Sequence, residues 1–446
     1  MNNQPARTFV LIAIIVTILV YMHFMPQVSL ADTQLRSVDI LSDVLPEAYG
    51  GGGDIIAKPV VPAAPAVVAK AGGKAGGQPV KKKPCPAGTT CVIDYSGGGA
   101  HGMAAFYKAL AAVKKMNRPV RVAYWGDSFI EGDIVTSDLR ALLQDKFGGN
   151  GVGWVDCGRT TNSGRPSHSV MERRTFNAQS QGISQRYFTV QGSAQVTLSG
   201  TTWNKHCGEW GAASMYFKTP APMRITATIN GGEQKTFEVK PSPEVQSVAV
   251  TGQMTKVKWA VSGAGASTIF YGAALDPQRG VVVDNFAMRG SSGMSLAAIP
   301  EKTMREMAAR RQYDLLVLQF GLNATSPRST QKQMQHYVAQ MTKVIEMLKR
   351  CYPNAAILIV SMSDRDQRVA GQIKSMKGVE ELVAYQQLMA ADNKVAFFNL
   401  FEAMGGNGGI GKMAQKGLAA KDYTHISFKG GAHLARKLYD GIMAGM

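Results

Sequence analysis

The last third of the chain constrains the fold most, because uninterrupted apolar runs alternate there with segments of helical period. Gly280-Val-Val-Val-Asp-Asn-Phe reads as a strand, and a helix follows from about Leu296 to Arg311. Tyr313-Asp-Leu-Leu-Val-Leu-Gln-Phe is a second such strand, followed by a long helix to about Arg350. Ala355-Ala-Ile-Leu-Ile-Val-Ser is a third, and after a helix around Val379 to Met389 comes Val395-Ala-Phe-Phe-Asn-Leu. Phe428 to Met443 has the pattern of a closing helix. Strands that are apolar on both faces need cover on both faces, which predicts a parallel sheet between helical layers. Ligands of such sheets bind beyond the carboxyl ends of the strands, so the residues just past each apolar run are where chemistry is expected.

One more strand of this kind lies upstream. Arg121 to Trp125 follows a helix from Met103 to Met116 and precedes one from Ile134 to Phe147, where Ile134, Leu139, Leu142 and Leu143 recur at helical spacing. Between this unit and Gly280 the texture changes. SAQVTLSG, MRITATING, KTFEVK, SVAVTG and KVKWAV are short alternating segments punctuated by Gly, Asn and Pro, the mark of an all-β module. The predicted organisation is an N-terminal anchor or signal segment (1–30), a linker (31–93), the first part of an α/β domain (94–157), an inserted β-rich module (158–280) and the second part of the α/β domain (281–446).

The N-terminal segment is a nearly unbroken apolar run from Phe9 to Met25 behind Arg7, close to the roughly 20 residues that span a bilayer. A positive charge before it and none just after it keep the N-terminus inside and place the rest of the chain outside the cytoplasmic membrane, in the periplasm or its equivalent. An uncleaved anchor is expected from the run's length, with Ser29-Leu-Ala31 leaving a cleaved signal peptide open. Between Tyr49 and Pro84 the stretches GGGGD, KPVVPAAPAVVAKAGGKAGG and VKKKP cannot bury enough surface to fold. They read as a flexible spacer with an r.m.s. span of roughly 30–36 Å. Its lysines suit an anionic polymer or a phospholipid surface as well as plain solvent. The net charge of +18 favours anionic partners. The charge is dispersed, however, without the basic, aromatic-laced block that nucleic acid requires. Of the 5 cysteines, Cys85 and Cys91 enclose a short loop and can pair in an exported protein, Cys157 and Cys207 are candidates for a second bridge, and Cys351 is left as a buried thiol. No CxxC pair suggests a metal site, and no cofactor or metal is expected.

Reading past each strand gives Gly126-Asp127-Ser128, then Met288-Arg-Gly290-Ser-Ser-Gly, then Gly321-Leu-Asn323, then Ser361-Met-Ser-Asp364-Arg365, and, before the last helix, Asp422-Tyr-Thr-His425. These are the parts for acyl transfer. Ser128 is a weak nucleophile unless a base takes its proton, His425 can be that base, and Asp422 can orient and charge-stabilise the imidazole. The backbone N–H groups of Ser128 and Gly290 and the Asn323 amide are the oxyanion donors suggested by strand order. Other uses are open for each. Ser128 suits a helix N-cap, Asp422 a cap of the last helix (although Ser427 is nearer), Asn323 a turn, and Gly293 can stand in for Gly290. Asp127 reads as loop support. His433 lies inside the last helix without an acid three residues earlier, and Asp364 with Arg365 reads as a solvated ion pair; these three are left out of the site. In the insert, Trp203, Trp210 and Trp259 can stack on sugars or fill a small core, and His206 and Glu209 flank Cys207 without a supporting ligand set. Trp125 and Trp154 read as packing residues.

The blocks Gly126-Asp127-Ser128, Gly290, Gly321-x-Asn323 and Asp422-x-x-His425 resemble, in order and context, those of the SGNH (GDSL-type) hydrolase family. The resemblance covers about residues 120–440 apart from the insert. It implies a three-layer α/β/α fold and a metal-free Ser-His-Asp esterase. The layout, with a β-module between the first two blocks, is similar to that of bacterial peptidoglycan O-acetylesterases, whose insert resembles a carbohydrate-binding module. The expected function is therefore removal of O-acetyl groups from a polysaccharide, peptidoglycan foremost, through an acyl-serine. The alternatives are an O-acetyltransferase using the same triad and a wall-binding protein with an idle site.

Overall fold

The computed structural model describes residues 56–63, 84–158, 165–172, 176–369 and 371–446, together with Val10, Thr17, Ser29–Leu30 and Thr33–Gln34. The chain separates into two compact units, Met1–Ile55 and Ile56–Met446. In the first, Ser29–Leu30 pairs antiparallel with Thr33–Gln34. The rest of the expected anchor, and the middle of the Gly/Ala/Lys spacer, lie outside the described residues. Among the described residues no helix is long and apolar enough to cross a membrane.

The larger unit is built on a six-stranded sheet. Its strands are β1 (Ile93–Asp94), β2 (Val120–Gly126), β3 (Val281–Ala287), β4 (Leu315–Gln319), β5 (Ala356–Val360) and β6 (Ala396–Phe398). They lie in the order β3-β2-β4-β5-β6-β1, all parallel except the edge strand β1. Every residue of β3, β4, β5 and β6 is buried, as continuous apolar strands require. The helices are α1 (Met103–Ala112), α2 (Thr136–Phe147), α3 (Glu301–Arg310), α4 (Gln331–Cys351), α5 (Val379–Asp392), the short α6 (Leu400–Ala403) and α7 (Gly409–Gln415), and α8 (Phe428–Met443). They form two groups. Helix α2 packs on α8, and α1 joins that group by a hydrogen bond from the Tyr107 hydroxyl to the Ile442 carbonyl at 2.9 Å. Helices α3 and α5 pack on α4.

Helix ends follow local chemistry. A reciprocal capping box of Thr330 and Gln333 starts α4, and the Ser427 hydroxyl caps α8. The helix expected from Leu296 is interrupted: Met294–Ala298 is a 3-10 turn, and Pro300 forces a fresh start at Glu301. Helix α2 begins at Thr136 rather than Ile134, because Asp133 and Val135 take φ of 62° and 69°, outside the helical region.

The inserted chain forms a nine-stranded antiparallel sheet running from Gly153 to Asp276. Its axis is one long strand, Lys256–Asp276. Arg186–Gly200 pairs along both halves of that strand, while Met223–Ile229 pairs with the first half and Trp210–Thr219 and Gly153–Val155 with the second. Irregular register between Val261 and Thr268 separates the halves. The module has a core of its own around Val196, Trp210, Phe217, Trp259 and Phe270. Trp154, Tyr216 and Tyr271 instead join the main core, so the module is packed onto the α/β body. At this seam Arg311, fully buried, binds two carboxylates. Its Nη1 and Nη2 donate to Asp276 at 2.6 and 2.9 Å, and its Nε and Nη2 donate to Asp284 at 2.6 and 2.8 Å. Arg121 adds a second cation 3.0 Å from Asp276. Burial alone would raise Asp276, but the two guanidinium groups hold it at about 2.

Several sequence readings change here. Cys157 and Cys207 are both free thiols: Cys157 Sγ sits 3.5 Å from Met215 Sδ, while Cys207 lies beside Arg140 and burial raises it to about 11. Cys85 and Cys91 are disulfide-bonded, and Cys351 is a buried thiol. Parts of the expected spacer pack on the fold: Ile56 is buried, Lys58 pairs with Glu380, and the Val92 N–H reaches the Gly441 carbonyl at 3.5 Å. Trp210 and Trp259 fill the module's core, whereas Trp203 is 76% exposed. His206 pairs with Asp145 at 2.7 Å.

Candidate active site

Strands β2, β3 and β4 end level with one another, since Gly126 is in register with both Ala287 and Gln319. Their exits carry Ser128, Gly290 and Asn323 to one rim. At Gly126 a side chain would be crowded: a Cβ would stand 2.7 Å from the Ile130 side chain, which would have to shift, and 3.1 Å from the Gln319 carbonyl. The chain then turns tightly. The Ile130 N–H donates to the Asp127 carbonyl at 3.3 Å, and the Phe129 N–H to Asp127 Oδ1 at 3.0 Å. Ser128 is thus held in a turn well before α2, not at its N-cap, which is Val135. Below it, Asp133 and Arg140 form a fully buried bidentate pair at 3.0 Å. Asn285 Nδ2 donates to the Ile130 carbonyl at 2.7 Å and to the Thr136 hydroxyl at 2.8 Å.

The other partner arrives just before α8. Asp422 Oδ1 accepts the Thr424 and His425 N–H groups, each at 3.0 Å, which folds the loop back on itself and places Tyr423 at φ 53°. Asp422 Oδ2 is then 2.8 Å from His425 Nδ1, and His425 Nε2 is 3.1 Å from Ser128 Oγ. A carboxylate on Nδ1 favours the tautomer that keeps that proton there and leaves the Nε2 lone pair facing the serine. Burial tends to raise Asp422, but hydrogen bonds from the His425 ring and from the two backbone N–H groups hold it below the usual carboxylate value. The structure therefore joins Ser128, His425 and Asp422 in one chain of hydrogen bonds. His433 is exposed on α8.

Gly290 and Asn323 sit on the neighbouring exits. Gly290 is exposed with φ 78°, a conformation that favours glycine at the turn. Gly293 is different: a Cβ there would lie 2.6 Å from the Phe320 ring, so it is a packing glycine. Asn323 Nδ2 donates to the Ser291 carbonyl at 3.0 Å, tying the two loops together. Asp364 is not a solvated ion but fully buried, accepting from the Ser375 hydroxyl at 2.5 Å and the Ile410 N–H at 3.1 Å. Arg365 reaches back to the Leu322 carbonyl at 3.4 Å, and the Asp366 N–H supports the Tyr423 carbonyl at 3.0 Å. These residues brace the site from behind.

One supporting residue had no signal in the sequence. Gln185, from the inserted module, is buried with φ 65°. Its Nε2 donates to the Gly126 and Phe286 carbonyls at 3.0 and 2.7 Å, and its Oε1 accepts from the Ser291 hydroxyl at 2.5 Å. Trp125 Nε1 donates to the Ile183 carbonyl of the same loop at 2.7 Å. Glu131 fixes the third side, accepting from Arg289 Nε at 2.9 Å and from its backbone N–H at 3.2 Å.

Asp127 carries a pH effect. Burial raises it to about 7, more than the Phe129 N–H and the His425 charge lower it. In the unfolded chain it would titrate near 3.9. Its contribution to stability is full below about pH 4 and is lost as pH rises through about 7. Relative to Asp127→Asn, the parent protein is expected to lose about 2 kcal/mol of stability between pH 5 and pH 8, read from urea midpoints at the two pH values. Equal pH dependence in both proteins would refute the assignment.

No known family profile matches the chain, and no curated protein sequence is similar to it. Solved structures do match. A peptidoglycan O-acetylesterase superposes with a TM-score of 0.61 at 19% identity, over 79% of this chain and 98% of its own. An active-site mutant of a family two carbohydrate esterase from Clostridium thermocellum matches with a TM-score of 0.26 at 13% identity, over 61% of this chain and 96% of its own. An acetyl xylan esterase from the rumen bacterium Butyrivibrio proteoclasticus gives 0.25 at 10% identity, over 61% and 97%. The latter two superpose too loosely to bear on the fold. The first is matched over nearly the whole of its own length, and the chain shares the fold of that esterase.

Proposed function

We propose that the chain is a serine esterase that removes O-acetyl groups from a polysaccharide, with peptidoglycan as the foremost substrate. The observation that carries the reading is the relay from Asp422 through His425 to Ser128, with links of 2.8 and 3.1 Å, at the carboxyl edge of a parallel sheet. Ser128 Oγ attacks the acetyl carbonyl carbon while His425 Nε2 takes the hydroxyl proton. The carbonyl π electrons move onto oxygen, where the N–H groups of Ser128 and Gly290 and the Asn323 amide receive the negative charge. Collapse breaks the bond to the sugar oxygen, which His425 protonates, leaving acetyl-Ser128. Water, deprotonated by the same imidazole, then releases acetate and restores the serine. Asp422 holds the imidazole in place and stabilises its charged form throughout.

The same reading puts the reaction outside the cytoplasmic membrane. The Cys85–Cys91 disulfide suits an oxidising compartment, and the apolar run from Phe9 to Met25 is the proposed tether. The deciding experiment incubates the full chain with O-acetylated peptidoglycan, with and without a de-acetylated glycan oligomer as acceptor. Free acetate is the expected product, and mass spectrometry should find the acetyl group on the Ser128 peptide after rapid acid quench. Acetyl recovered mainly on the oligomer would make the protein a transferase, and binding without turnover would leave it a wall-binding protein. Asn323→Ala is expected to lower kcat by about 10²–10³-fold with little change in KM, measured on a small acetyl ester. An unchanged kcat would remove Asn323 from the oxyanion site.

A further inference from the structure

Beside Asn323 the rim opens into a cleft of about 660 Å³, within the range that receives a small ligand. Its walls differ in character. Met294, Ala324 and Tyr337 supply an apolar surface, and Lys332, Gln333 and His336 supply a polar one. Lys332 and His336 are spaced i, i+4 on α4 and so share a face. Both are exposed, and neither makes a hydrogen bond or ion pair among the described residues. No carboxylate is among the described residues that line the cleft. An apolar floor with a polar wall matches a pyranose, which presents C–H groups on its face and hydroxyls at its edge. The Lys332 ammonium in the same wall, with no carboxylate among the described lining residues, favours a negative charge on what lies there.

We infer that this cleft is the specificity subsite for a carboxylate-bearing glycan, with Lys332 reading the carboxylate on or next to the sugar that carries the ester. The inference rests on the esterase reading and adds to it the charge of the preferred substrate. Lys332 is a positioning and specificity residue: it touches the substrate remotely from the acetyl group, so it changes how the glycan binds and not how the ester is cleaved.

The test compares Lys332→Ala and Lys332→Glu with the parent full-length chain on three substrates: a small neutral acetyl ester, an acetylated neutral polysaccharide and O-acetylated peptidoglycan fragments that retain their carboxylates. Both variants should match the parent within about twofold on the small ester, which does not extend into the cleft, and should lose less on the neutral polysaccharide than on the acidic fragments. On the acidic fragments KM should rise about five- to tenfold for the alanine variant and further for the glutamate variant, with kcat unchanged, and the difference should shrink as salt is raised. Equal losses on all three substrates, or none on any, would overturn the subsite. Binding of the same acidic fragments to Ser128→Ala, with and without Lys332→Glu, is measured by calorimetry in parallel. If the parent cleaves no ester, the esterase reading fails, and the calorimetry still decides the cleft: weaker binding when Ser128→Ala also carries Lys332→Glu supports it, and equal binding refutes it.

Discussion

Ser128→Ala is expected to lower kcat on a small acetyl ester by about 10⁵–10⁶-fold. The imidazole of His425 and the carboxylate of Asp422 remain, but without the hydroxyl they have no proton to relay and no covalent bond to form. Residual turnover would come only from water attacking an ester held by the oxyanion donors. The change should leave the fold intact, because Ser128 is half-buried and gives up one side-chain contact, to His425. Its thermal midpoint should stay within about 2 °C of the parent's. Steady-state assay and differential scanning calorimetry on the same preparation separate the two effects. Activity within tenfold of the parent, in a folded variant, would mean that another group is the nucleophile.

Arg311→Met is expected to have the largest effect on stability, a loss of about 3–5 kcal/mol. The guanidinium is fully buried between Asp276 and Asp284, and methionine keeps much of the volume while leaving both carboxylates short of their main partner. Asp276 would keep only Arg121, 3.0 Å away. The sign with pH follows from the depressed value of Asp276, about 2. Its stabilising contribution in the parent is present above about pH 4 and is lost as pH falls toward 2. In the variant, burial with less cationic support would raise Asp276, which then costs stability as pH rises above about 4, so the gap between parent and variant should be wider at pH 8 than at pH 4. Urea unfolding at both values measures it, and a gap below 1 kcal/mol at pH 8 would show the seam to be indifferent to the ion network.

The sheet was readable because its strands are buried on both faces, and runs such as Leu315–Gln319 and Ala356–Val360 have few other uses. The hydrogen-bonded relay was readable because strand ends are punctuated by Gly-Asp-Ser and by Asp-x-x-His, where polar residues interrupt an apolar text. What hid was tertiary. Gln185 lies in a stretch with no pattern, and only the docking of the module brings its amide against the Gly126 and Phe286 carbonyls. Asp364 looked solvated because adjacent opposite charges on a loop usually are; the partners that hold it, Ser375 and Ile410, lie 11 and 46 residues further on. Cys157 and Cys207 invited a bridge by their number alone, and spacing of 50 residues says nothing about which side of a β-core each sulfur faces. The break at Pro300 was visible as a letter, yet the apolar periodicity around it pointed to a longer helix.

The Gln185 amide has an implication for engineering. It closes the hydrogen-bonding needs of backbone groups that sit directly under the nucleophile's turn, from a segment that a modular view would treat as an exchangeable cassette. Splicing the insert out, or swapping it for a foreign binding domain, would strip the Gln185 amide from the Phe286 carbonyl and leave the Gly126 carbonyl with the Met288 N–H alone, slackening the turn itself. Chimeras should therefore retain residues 181–186 as part of the enzyme's own frame and graft only the outer strands.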